Sequence, residues 1–117
     1  VKPEYEFFPV ADVEFTTVIP GGDPLITHKV LAADPESGVG TRLLRYAPGA
    51  DSSPMGVQRH DFWEEVYILE GSFTDLTLNE TFTAGMYACR PPGMAHGPWR
   101  SDEGVLTFEV RYRLDEP

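Results

Sequence analysis

No segment of the chain sustains an apolar period of 3.6 residues; short runs of β-branched and aromatic residues recur from end to end instead. Each run is closed by glycine, proline or aspartate, as in Pro20-Gly21-Gly22, Asp34-Pro35-Glu36-Ser37-Gly38, Pro48-Gly49, Asn79-Glu80 and Pro91-Pro92-Gly93. That punctuation excludes a helical bundle and leaves room for at most one short helix. Strands are expected over residues 4–9, 12–19, 25–33, 39–46, 56–60, 63–70, 72–78, 81–89 and 104–114. Eleven glycines and eleven prolines in 117 residues fit many tight turns. The fold class is therefore all-β, a sandwich or barrel, and a double-sheet jelly roll is one way of protecting its edges.

The length suits one hydrophobic core, so residues 1–117 are read as a single domain, with N-terminal strands over 1–24 and the barrel over about 25–114. Nineteen acidic against nine basic side chains give a formal charge of −10. That sign is wrong for a phosphate backbone or an anionic membrane, and neither nucleic acid nor membrane is expected as a partner. No apolar run approaches the roughly 20 residues that cross a bilayer. One cysteine, Cys89, excludes an internal disulfide framework and reads as a small packing residue; a reducing, cytoplasmic compartment is expected.

Gln58, His60 and Glu64 share parity. If the backbone stays extended from 58 to 64, an amide, an imidazole and a carboxylate project from one face, with Val66 and Ile68 continuing it inward. Glu65, Tyr67 and Leu69 then face outward. Ionisable groups turned into a barrel are costly unless paired or coordinated, and a divalent cation resolves that cost. His96, just past the Pro91-Pro92-Gly93 corner, can be turned toward the same point. A mixed N/O donor set of Gln58, His60, Glu64 and His96 suits one divalent transition metal, iron first, with manganese, nickel, copper or zinc as alternatives. His28 belongs to no such constellation and reads as a solvent-facing strand residue.

The segment from His60 through Glu64 to Gly71 resembles the first motif of the cupins, in which a His-x-His pair is followed by Glu and then Gly. The segment from Gly85 through Pro91-Pro92-Gly93 to His96 matches the second, Gly, five residues, Pro-x-Gly, two residues, His, without a gap. Thirteen residues separate the two stretches. Residues 41–50 resemble the strand and turn that enter the first motif, and the stretch from Leu25 is similar to the cupin domains related to the ChrR anti-sigma factor. Gln58 departs from the pattern by standing where the first motif has its first His, and Arg100 replaces the final Asn of the second.

The resemblance implies a cupin double-stranded β-helix, or jelly-roll barrel. It further implies a metal-dependent dioxygenase acting on a small diketone, hydroxyketone or related enolisable compound that chelates the metal through its oxygens. His60, Glu64 and His96 would hold the metal. Gln58 would be a fourth ligand or a hydrogen-bond partner of bound water or oxygen, so Gln58 and Glu64 are the candidate catalytic residues. Arg42, Tyr46, Met55, Trp99 and Phe108 are candidates to line a substrate pocket. The alternative is a non-catalytic ligand-sensing, metal-sensing or sugar-binding module. A small-molecule substrate is the expected partner, together with a second copy of the chain, because cupins pair through outer sheet faces.

Overall fold

Burial along the chain alternates with a period of two wherever both faces of the sheet differ in surroundings, and the strands follow from that alternation. A computed structural model describes residues 1–114; residues 115–117, the end of the single-domain assignment, lie outside them. The strands are β1 (Thr16–Thr17), β2 (Ile26–Ala33), β3 (Gly40–Tyr46), β4 (Trp63–Asp75), β5 (Glu80–Thr83), β6 (Tyr87–Arg90), β7 (Trp99–Arg100) and β8 (Val105–Tyr112). Two single-turn 3₁₀ segments, Val10–Asp12 and Ser53–Met55, are the only helical elements among the described residues. None is long and apolar enough to cross a membrane.

All pairings are antiparallel, in the order β1-β2-β3-β8-β4-β5, with β6 and β7 also paired to β4. β4 organises the fold. Its first half lies between β8 and β6, and its second half pairs with β5 and β7. Along it Glu64, Val66, Ile68, Phe73 and Asp75 are buried, while Tyr67, Leu69 and Glu70 are exposed.

Residues 63–70 and 72–75 of two expected strands join into one because Gly71 bends β4 without ending it, while 76–78, expected in the second, form the turn that follows. The φ of Gly71 is 77°, and a Cβ there would lie 2.0 Å from the Gly104 carbonyl oxygen. The left-handed backbone and the close approach together require glycine. The expected strand over 81–89 is instead split into β5 and β6 by the turn at Ala84-Gly85, where Met86 N–H returns to the Thr83 carbonyl. Residues 4–9 and 56–60 form no strand.

The core sits between the curled layers: Ile26, Leu44, Tyr46, Ala50, Ile68, Phe73, Trp99 and Val105, flanked by Val18 and Phe82. Trp99 stacks on Phe73 with ring centroids 4.2 Å apart. Polar groups at this depth are paired. Asp75 accepts the backbone N–H groups of Thr77, Leu78 and Gly97, and the Ser52 hydroxyl accepts that of Trp99.

Candidate metal centre

Glu64, the second residue of β4, points inward and is 3% exposed. In register it stands opposite Arg90 on β6 and Arg111 on β8, so one carboxylate is flanked by a guanidinium from each neighbouring strand. Arg90 Nη1 donates to Oε1 at 2.8 Å and Arg111 Nε to Oε2 at 2.7 Å. The next row is built the same way. Arg42 on β3 faces Glu109 on β8, its Nε donating to Glu109 Oε1 at 2.9 Å, while Thr107 donates to Oε2.

The two histidines arrive outside the regular strands. Gln58 and His96 form an isolated antiparallel bridge, with N–H to carbonyl bonds of 2.7 and 3.0 Å. Gly93, at the end of the proline corner, donates its N–H to the His60 carbonyl. The corner thus folds back onto the 58–60 segment and brings both imidazoles over Glu64. The His60 ring lies 4.7 Å from Phe62, stacked on it, and 5.0 Å from the His96 ring. His96 Nε2 is 3.9 Å from Glu64 Oε1.

The protonation states suit ligation. Burial lowers the pKa of both imidazoles; Arg111 adds to this at His60 and Arg90 at His96, against the opposing pull of Glu64. Neutral rings keep a nitrogen lone pair free. Burial pushes the Glu64 carboxyl up, but Arg111 and Arg90 outweigh it and hold the group below the usual carboxylate range. Ligand atoms of His60, Glu64 and His96 all lie within 4.8 Å of one another, and two neutral imidazoles with one ionised carboxylate are a donor set that could hold a divalent transition ion. Each Glu64 oxygen carries one arginine N–H and retains a second acceptor site. The residues fit a metal, and the two arginines weaken the carboxylate as a donor to it.

A cavity of about 210 Å³ opens beside the triad, lined by Gln58, His60, Glu64 and His96 with Arg42, Leu44, Tyr46, Met55, Phe73, Arg90, Trp99, Glu109 and Arg111 among others. Gln58 reaches it by a route other than the expected one. The backbone bends at Asp61-Phe62, so parity does not run from 58 to 64, and the His96 bridge positions Gln58 instead. Its amide nitrogen donates to the Met55 carbonyl at 3.0 Å.

Of the expected pocket residues, Arg42, Tyr46, Met55 and Trp99 border this cavity and Phe108 does not. Thr107, Glu109 and Arg111 take the inward positions of β8, which turns Phe108 to the outer face, where it is 38% exposed beside Tyr67 and Tyr87. His28 departs from its expected solvent-facing place. It is half-buried, with Nδ1 3.0 Å from Arg42 Nη1, and burial followed by Arg42 lowers its pKa. Cys89 is exposed on the outer face of β6, opposite Glu65, and packs no core. Arg90, Glu109 and Arg111 belong to the site without having been singled out in the sequence. Their signal, alternation along β6 and β8, acquires meaning only once those strands are registered against β4.

The profile of the ChrR cupin-like domain matches residues 7–114 of the chain. No curated protein is significantly similar to it. Among solved structures, an RmlC-like cupin from Shewanella frigidimarina is 18% identical with a TM-score of 0.73, covering 98% of this chain and 96% of the other. An acetylacetone dioxygenase from Acinetobacter johnsonii is 16% identical with a TM-score of 0.72, covering 97% and 80%. KdgF from a Halomonas species is 18% identical with a TM-score of 0.69, covering 96% and 97%. At these identities the likeness establishes the all-β double-layered fold alone.

Proposed function

Because the chain belongs to the ChrR cupin-like domain family, we propose that it is a metal-dependent enzyme of the dioxygenase type acting on a small enolisable compound, a diketone or hydroxyketone. The observation that carries this reading is the His60, Glu64 and His96 cluster in the lining of a partly apolar cavity. The fold shared with an acetylacetone dioxygenase supports it. A divalent transition ion bound there, iron first among the candidates, would supply Lewis acidity and redox capacity toward substrate oxygens.

The chain's own residues set the conditions. Burial keeps His60 and His96 neutral, so their nitrogens are available without first losing a proton. Arg90 and Arg111 fix the plane of the Glu64 carboxylate by holding one oxygen each. Gln58, its amide nitrogen committed to Met55, presents the amide oxygen as an acceptor at the cavity edge, as a further ligand or as a partner for a substrate hydroxyl. Leu44, Tyr46, Phe73 and Trp99 give the cavity an apolar wall beside its charged side chains, against which the carbon part of a substrate would rest. On the outside, Tyr67, Leu69, Tyr87 and Phe108 form the exposed apolar face on which a second copy of the chain would pair.

One observation favours a second reading, a binding module without chemistry: both Glu64 oxygens already have arginine partners, so its charge is compensated without a cation. Metal content separates the two. Protein purified without chelators is expected to carry near-stoichiometric iron, manganese, nickel or copper by mass spectrometry, to lose it in a His60→Ala/His96→Ala variant, and to consume oxygen with a diketone. Equal or absent metal in both proteins would overturn the enzyme reading in favour of the binding module.

A further inference from the structure

The cavity beside the triad is cationic in a chain that is otherwise acidic. Arg42, Arg90 and Arg111 line it, three of the nine basic side chains in a sequence of formal charge −10. Their side chains are 13%, 11% and 22% exposed, so they are not solvated surface arginines. Two carboxylates, Glu64 and Glu109, line the same cavity. Among the groups lining this cavity the arginines therefore outnumber the carboxylates by one, Glu64 being shared between Arg90 and Arg111.

The guanidinium donors are only partly used. Arg42 gives Nε to Glu109 and Nη1 to His28, Arg90 gives Nη1 to Glu64, and Arg111 gives Nε to Glu64. Among the described residues, Nη2 of Arg42, Nε and Nη2 of Arg90, and both terminal nitrogens of Arg111 donate to no protein atom. No buried side-chain nitrogen or oxygen lacks a partner among those residues, so these free donors keep some exposure, with the Arg90 guanidinium over the Trp99 ring and that of Arg111 over Phe62. Planar forks with free N–H groups match the two oxygens of a carboxylate. The volume of about 210 Å³ suits a small molecule, and the Leu44, Phe73 and Trp99 walls suit an apolar remainder.

We propose that the ligand of this cavity is a small keto acid, its carboxylate held by the free donors of Arg42, Arg90 and Arg111 and its ketone turned toward His60 and His96. The ketone half rests on the enolisable-substrate reading above; the carboxylate half stands on the arginines alone. The test uses two probes of nearly the same shape, acetoacetate and neutral acetylacetone, titrated calorimetrically into the protein as purified, with metal content measured on the same sample. Acetoacetate is expected to bind at least tenfold more tightly than acetylacetone, and Arg111→Met to remove that preference. Arg111→Lys, which keeps the charge and loses the fork, is expected to restore only part of it.

Equal or weaker binding of acetoacetate by the wild-type protein overturns the proposal, and that comparison needs no variant to fold. A preference for acetoacetate in a sample without metal supports the proposal and sinks the metal-dependent reading. A preference for acetylacetone in a sample with metal does the reverse.

Discussion

Replacing Glu64 by Gln removes one charge and changes almost nothing in volume, yet it should be among the most damaging single substitutions in the protein. Glu64 is 3% exposed and is bridged at 2.8 Å to Arg90 and at 2.7 Å to Arg111. The Gln side chain can accept from one arginine only; its NH₂ group must face the other, donor against donor, leaving a guanidinium unpaired at low exposure. Breaking a buried pair by neutralising one partner costs about 3–5 kcal/mol. Arg111 is the more exposed of the two, which places the expectation toward the lower half of that range. An unfolding entropy of about 2.1 cal/mol/K per residue over 117 residues converts each kcal/mol to about 4 °C. The melting temperature should therefore fall by about 12–16 °C. Because Glu64 is also a candidate metal ligand, the measurement is a thermal melt followed by circular dichroism on chelator-treated wild type and variant. Any contribution of bound metal is then removed from both. A fall of less than about 4 °C would mean that the two arginines are solvated without Glu64, and would refute the bridged arrangement described for the site.

All three histidines, His28, His60 and His96, have pKa values lowered chiefly by burial. The unfolded chain binds more protons than the folded one below about pH 6.5, so stability is lost as pH falls through that value toward the lower folded-state values, with Glu64 adding a further loss below its ordinary range near 4.3. Chelator-treated protein should melt at a lower temperature at pH 5.5 than at pH 7.5, and a flat profile would contradict the neutral imidazoles. Gly71→Ala, at a φ of 77° with no room for a Cβ beside Gly104, should lower stability by about 2 kcal/mol or more, read as a reduced urea midpoint at unchanged slope. A midpoint within experimental scatter of wild type would show that the bend in β4 is not fixed as described.

The parts of this site that could be read from the sequence are those set by neighbours along the chain. Alternation on β4 correctly places Glu64, Val66 and Ile68 inward and Tyr67 and Leu69 outward, because a pleated strand with one buried face admits no other assignment. The run from Gly85 to His96 is likewise local: a turn, a short strand and a rigid corner whose residues specify their own backbone. What could not be read is register. That Arg90 and Arg111 both fall opposite Glu64, and Arg42 opposite Glu109, depends on pairings between residues 26 to 67 positions apart in the chain. The same ignorance of register left His28 in solvent and turned Phe108 inward. Gln58 was assigned to the cavity through a continuous strand that the bend at Asp61-Phe62 interrupts, and the bridge to His96 supplies a different cause.

The three candidate ligands are not held alike. Glu64 sits on a strand hydrogen-bonded on both sides, to β6 and to β8, with its carboxylate clamped at each oxygen. His60 and His96 hang from irregular segments joined by a single isolated bridge, the Gly93 N–H bond to the His60 carbonyl and an Arg59 side-chain bond to the Gly93 carbonyl. The centre thus works as a vice with one fixed jaw and two that can travel. Such a grip adjusts by small movements of the imidazoles to ions of different radius, so selectivity among divalent metals would fall to ligand chemistry and supply rather than to the shape of the cradle. Backbone amide exchange should register the same asymmetry, slow along β4 and fast through the loops that carry the histidines.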